Sequence, residues 1–263
     1  MKKIFTTFNF FIVLILTLGA IAHLMYGHCQ TSKYHYILQA HYMPDYLPKL
    51  MQKDIEKETK NYTGKMYAWY KSGAKQSEGE YKNGKANGKW IIWYKNGAKQ
   101  LEGEFKDDIL DGKSINWYES GAKKSECEYK EDNAHGNSIG WYESGANQSA
   151  GEFKDGKLNG KWVFWYESGA KISEREFKDG VENGIGKFWY ENGAKQSEGE
   201  YKDGKANGKW ITWYKSNTIQ LEVEFKDDKK NGKVIEWDAK GNITKEEEFK
   251  DDVMIKDCLA PIK

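Results

Sequence analysis

Between residue 63 and residue 252 apolar and polar positions trade places over short runs, and the runs come in pairs. In Gly88 to Tyr94 the side chains of Trp90, Ile92 and Tyr94 alternate with those of Lys89, Ile91 and Trp93. After Asn96-Gly97, Leu101 and Phe105 alternate with Gln100, Glu102 and Glu104. A period of two over β-branched and aromatic residues, interrupted by Asn-Gly, predicts two antiparallel strands joined by a hairpin turn. Asn-Gly suits a two-residue turn with positive φ at both positions. This reading pairs Tyr94 with Lys99, Trp93 with Gln100, Ile92 with Leu101, Trp90 with Gly103 and Lys89 with Glu104. Trp90, Ile92, Tyr94, Leu101 and Phe105 then share one face, with Gly103 making room for the Trp90 ring. Lys89, Ile91, Trp93, Gln100, Glu102 and Glu104 share the other.

The pattern is copied eight times without insertion or deletion. Tryptophan returns every 24 residues at Trp69, Trp93, Trp117, Trp141, Trp165, Trp189, Trp213 and Trp237. Gly64, Gly88, Gly112, Gly136, Gly160, Gly184, Gly208 and Gly232 keep the same step. So do the glutamates from Glu80 to Glu248, each followed by Tyr or Phe. A fixed period of this length marks stacked units that bury little alone and rely on their neighbours. Asn87, Asp111, His135, Asn159, Asn183, Asn207 and Asn231 precede the repeat glycines, and their residue types suit the left-handed backbone of a second turn. The expected fold is an elongated, single-layer, all-β antiparallel sheet of eight stacked hairpins over residues 63–252. Residues 253–263 form a C-terminal tail.

The first 26 residues differ in kind. Lys2 and Lys3 precede an apolar stretch from Phe8 to Ala22, and Ala20-Ile21-Ala22 reads as a cleavage site. A signal peptide and an uncleaved hydrophobic anchor helix both fit, since apolar character resumes at Leu24 to Tyr26 and approaches the ~20 residues that span a bilayer. Either places the rest of the chain on the far side of a membrane, secreted, periplasmic or anchored. Residues 27–62 form a spacer with a short helix over Pro48 to Thr59 and are expected to cover the first strand of the array.

Composition narrows the function. Lys plus Arg number 41 against 40 Asp plus Glu, a net charge of +1, so no field gathers a nucleic acid. Cys29, Cys127 and Cys258 are too scattered for a disulfide framework or a metal knuckle. His28, His35 and His41 near Cys29 lack the paired spacing of a metal site. Catalysis needs a singular constellation of groups, whereas here every acidic and aromatic position recurs. The expectation is a non-enzymatic chain that calls for no cofactor or metal. Its candidate interaction surface is the tryptophan ladder from Trp69 to Trp237, with a protein partner or a cell-envelope glycan as ligand.

The unit G-K-W-x-x-W-Y-x-[NS]-G-A-K-x-x-x-G-E-[YF]-K-[DN]-G-K-x-N resembles the MORN-repeat variant of bacterial proteins, including YwqK-type antitoxins. It departs from that pattern at Asn137, Ile185, Asn217 and Asp238. The resemblance implies an open sheet of hairpins, a role in protein or membrane association, and, as one alternative, neutralisation of a cognate toxin. It supplies no catalytic residue.

Overall fold

The computed structural model describes residue 23, residues 32–42 and residues 60–258. The hydrophobic segment 1–26 (His23 apart) and the helix expected over 48–59 lie outside them. Among the described residues no helix is long and apolar enough to cross a membrane. The helix that is seen, α1 (Lys33–Ile37), continues as a π turn over Leu38–Tyr42, and it is short and mixed in polarity.

The chain divides into two compact units, 1–121 and 122–263. In the first, β1 (Gly64–Trp69), β2 (Lys75–Lys82), β3 (Lys85–Trp93), β4 (Lys99–Lys106) and β5 (Ile109–Trp117) pair antiparallel in chain order. The second repeats the meander. It runs through β6 (Lys123–Lys130), β7 (Asn133–Trp141), β8 (Asn147–Lys154), β9 (Lys157–Trp165) and β10 (Lys171–Lys178). It continues as β11 (Val181–Glu182), β12 (Gly184–Trp189), β13 (Lys195–Lys202), β14 (Lys205–Trp213), β15 (Ile219–Lys226), β16 (Lys229–Trp237), β17 (Ile243–Lys250) and β18 (Val253–Asp257). The architecture is thus all-β and antiparallel, an open sheet of hairpins, and β18 lies in the stretch expected as a tail.

The two kinds of turn are exchanged relative to the expectation. At Asn96-Gly97, Tyr94 N–H donates to Ala98 O at 2.8 Å and Gly97 N–H to Tyr94 O at 3.0 Å, and Gly97 alone has positive φ (90°). That is a three-residue loop, a type I turn closed by a left-handed glycine. It shifts the register: Trp93 faces Lys99, whereas Ile92–Leu101, Trp90–Gly103 and Lys89–Glu104 stand as expected. The two-residue primed turn lies at the other end, where Asp107 (φ 53°) and Asp108 (φ 72°) join Lys106 to Ile109, and Asn83-Gly84 joins Lys82 to Lys85. Asn87, Asp111 and His135 do not adopt positive φ. The glycine after each does, because the strand carrying it bulges there, with Glu78 opposite Ile91 but Glu80 opposite Asn87. Asn217, at the turn where glycine is missing, adopts the glycine conformation (φ 66°) and keeps its bond to Tyr214 O.

Hairpins are tied to one another along the primed-turn edge. Asp108 exchanges hydrogen bonds with Ala86 through its own N–H and its carboxylate, and Asp228 does the same with Ala206. Gly156 N–H donates to Ala134 O and Gly180 N–H to Leu158 O.

Packing on the apolar face follows a rule of complementary size. The Trp90 ring lies over Gly79 of the preceding hairpin, and not over its own cross-strand partner Gly103. A Cβ at Gly79 would sit 2.2 Å from the ring, and the Nε1–H donates to Glu80 O at 3.2 Å. Gly151 with Trp162 and Gly199 with Trp210 repeat this. Where the tryptophan is absent the pair changes together: Val223 faces Val234, and Cys127 faces Ser138. Arg175 lies in the glycine position where the opposing residue is Gly186, its guanidinium over the Phe164 and Phe177 rings and bonded to Glu182 at 2.7 Å. Gly103 faces Ser114, and Leu110 Cδ1 fills the gap. Trp162, Val223 and Val234, at 2–3% exposure, are the most thoroughly buried apolar residues. At ~1.5–3 kcal/mol per large side chain such burial outweighs any surface ion pair.

Candidate interaction surface

Each ladder tryptophan closes a strand at the three-residue turn, and none is exposed. The turn's register brings the next residues into play. Because Trp93 faces Lys99 and Ile92 faces Leu101, Gln100 is an extra residue, and the bulge turns Lys99 to the side carrying Glu102. Lys99 Nζ then bonds Glu102 Oε2 at 2.8 Å and stands 5.3 Å from the centroid of Trp117, one repeat on. Lys75 stands over Trp93 at 5.2 Å, Lys123 over Trp141 at 5.5 Å, Lys171 over Trp189 at 5.5 Å and Lys195 over Trp213 at 5.0 Å. Asn147 and Ile219 take the lysine position before Trp165 and Trp237. A cation held over an indole within ~6 Å is attracted by the ring's quadrupole.

The same carboxylate receives a second ammonium. Lys89 faces Glu104 in register, yet its Nζ reaches diagonally to Glu102 at 2.5 Å, and Lys161 to Glu174 and Lys209 to Glu222 do likewise at 2.6 Å. Two lysines, Lys161 and Lys171, hydrogen-bond Glu174 and hold its carboxyl below the usual range against partial burial. At Glu102 burial pushes upward, but Lys89 and Lys99 together outweigh it.

The backbone of the ladder is also tied. Tyr94 OH donates to Trp117 O at 2.9 Å, Tyr142 to Trp165 O at 2.8 Å and Tyr190 to Trp213 O at 2.9 Å. Trp69 has no preceding repeat to supply such a tyrosine. Instead His41 Nε2 lies 2.6 Å from Trp69 O, and the Tyr36 ring packs edge-on at 5.5 Å. At the other end Asp238 replaces the tyrosine, and its carboxylate accepts from Lys240 N–H and Asn242 N–H inside its own turn.

The predicted ladder residues therefore come together with lysines and tyrosines that the sequence reading did not single out. Their signal was present in the 24-residue recurrence of Lys75, Lys99, Lys123, Lys171 and Lys195, each followed three residues later by Glu. A two-residue turn would have put lysine and glutamate on opposite faces, so the pairing was hidden by the turn assignment. His41 serves the contact with Trp69 O, and His35 a local one, its Nδ1 lying 2.5 Å from Ser32 Oγ.

The MORN repeat variant matches six stretches, residues 86–107, 110–131, 158–179, 182–203, 206–227 and 230–251, which together make about half of the sequence, and the MORN repeat matches residues 198–209. The chain belongs to the MORN repeat variant family. The copies at 62–83 and 134–155 lie outside the MORN matches but keep the same paired strands. No curated protein matches. Among solved structures, chains in "Crystal Structure of TcdB2-TccC3" and "Crystal Structure of TcdB2-TccC3-Cdc42" are similar at 10% identity, with TM-scores of 0.22 and 0.21. The alignments cover 70% and 72% of this chain but only 13% and 12% of those chains.

Proposed function

We propose that this chain is a non-enzymatic protein-interaction scaffold, exported or held at a membrane by its N-terminal segment, whose lysine–tryptophan–glutamate rows are the binding surface. The carrying observation is the repetition itself. The steps led by Lys75, Lys99, Lys123, Lys171 and Lys195 each offer an ammonium and a carboxylate at fixed separation above an aromatic floor, and several such steps meet a partner at once. Individual exposed pairs contribute little, but complementary charge set out at regular intervals selects a partner and its register. MORN repeats in general serve protein and membrane association, which supports the same reading.

The rings of Trp93, Trp117, Trp141, Trp189 and Trp213 lie half-buried under lysines, and this favours a protein over a glycan stacked on bare indoles. A cognate toxin is the narrower form of the proposal, to be tested by co-expressing this chain with growth-arresting products of adjacent reading frames. The broader test immobilises the purified chain and offers it membrane-associated proteins and isolated envelope polymer separately. A protein partner is expected to bind again as a purified pair, and the double variant Lys171→Ala/Lys195→Ala is expected to weaken it at least about tenfold. Retention of polymer alone, lost on replacing Trp141 and Trp165 with Ala, would overturn the proposal in favour of the glycan reading.

A further inference from the structure

One groove between hairpins of the first unit differs from its own copy. In the second repeat the groove lined by Lys89, Glu102, Gly103, Glu104, Lys113 and Ile115 has a volume of about 60 Å³. The equivalent groove one repeat earlier, lined by Lys65, Glu78, Gly79, Glu80, Lys89 and Ile91, measures about 320 Å³ and has an added wall, Tyr67. Two substitutions in pairing and sequence account for the difference. Lys89 spans the second groove to reach Glu102 at 2.5 Å, whereas Lys65 makes no ion pair among the described residues and Glu78 is satisfied by Lys75 at 2.6 Å. Tyr67 stands where the second repeat has Ile91, and its ring stacks on Trp69 at 5.9 Å. Lys75 lies over the Tyr67 ring, 5.4 Å from its centroid, and does not line the groove.

We infer that this first groove binds a single neutral sugar ring, a hexose or N-acetylhexosamine. The volume falls at the lower end of the ~300–1,000 Å³ typical of small-ligand sites. An aromatic wall suits the C–H face of a pyranose. The Lys65 ammonium donates and the carboxylates of Glu78 and Glu80 accept, so hydroxyls of either role find partners, and Lys89, its own ammonium held by Glu102, completes a lining of two lysines and two glutamates. The set sums to zero charge, which selects against phosphorylated or acidic sugars. The Gly79 backbone forms the floor, because strand alternation puts the side-chain position of residue 79 on the opposite face, against the Trp90 ring. The site does not rest on the scaffold reading: it is built from the first repeat and the opening strand of the second, and replacing Tyr67 leaves the lysine–tryptophan rows intact.

The test is a titration of the full chain, followed by amide NMR shifts, with glucose and N-acetylglucosamine, and with glucose 6-phosphate as the charged control. A neutral sugar is expected to bind with millimolar affinity and to move resonances from residues 65–91. Tyr67→Ile installs the residue of the neighbouring repeat, so the fold is expected to hold, and affinity is expected to fall about tenfold. Lys65→Ala is expected to weaken binding as well. No shift with either neutral sugar, shifts elsewhere in the array, unchanged affinity in Tyr67→Ile, or tighter binding of the phosphorylated control would each overturn the inference.

Discussion

Tryptophan recurs at two positions of the repeat, and they tolerate change differently. Trp90, Trp162 and Trp210 belong to a row in which other repeats carry Met66, Ser114, Ser138, Gly186 and Val234. The ladder from Trp69 to Trp237 has no exception. The first row is a matter of filling volume, and any pair of residues that fills the slot together serves: Gly with Trp, Val with Val, Arg with Gly. The ladder tryptophan answers to more partners: at Trp117 and Trp213 the ring carries a neighbour's lysine while the carbonyl receives a tyrosine hydroxyl, and where the lysine is lost, at Trp165 and Trp237, the tyrosine bond stays. A position bound by a single pairwise constraint drifts with its partner, and one bound by several does not.

The largest effects are expected at Gly151 and Trp162. Trp162→Ala empties a slot that is 3% exposed and is expected to cost ~3–5 kcal/mol in chemical denaturation. Gly151→Val alone drives a side chain into that ring and is expected to cost at least as much. The double variant Gly151→Val/Trp162→Val reproduces the Val223–Val234 pair and is expected to recover most of the loss, so the two changes couple strongly in a double-mutant cycle. Additive losses would show that the slot is not a shared volume.

At the ladder the expected effect is smaller. Tyr142→Phe removes one hydroxyl bond to Trp165 O and is expected to cost ~1 kcal/mol, with tryptophan emission shifting as the turn loosens. The smallest concerns Glu174. Its folded-state carboxyl titrates below the unfolded value, so its contribution is complete above the ordinary carboxylate range and fades as pH falls through the depressed folded value. Wild type is expected to lose more stability than Glu174→Gln between neutral and strongly acid pH, measured by thermal melting. Equal losses would mean that Lys161 and Lys171 do not hold the carboxylate in solution.

Much of the fold was legible because it is written eight times. Alternation over Gly88–Tyr94 and Leu101–Phe105 specified strands, and the pairing of Lys89 with Glu104 followed from counting back from the turn. The error was local: Asn96-Gly97 carries the composition of a two-residue turn, yet it closes a three-residue loop, while Asp107-Asp108 takes the primed turn. Composition leaves these two turns nearly degenerate. The choice between them falls to the bulge beside Trp93, through which Lys99 reaches both Glu102 and Trp117.

Sequence periodicity by itself determined the strand content, the 24-residue unit and which residues could be structurally equivalent, because side-chain alternation and spacing are properties of the chain. Only the tertiary structure decided that Trp90 lies over Gly79, that lysines cover the ladder, and that the first groove opens where its copy closes. Those outcomes depend on contacts between neighbouring repeats, where the energy of one side chain is set by the size and charge of another about a dozen or more residues away.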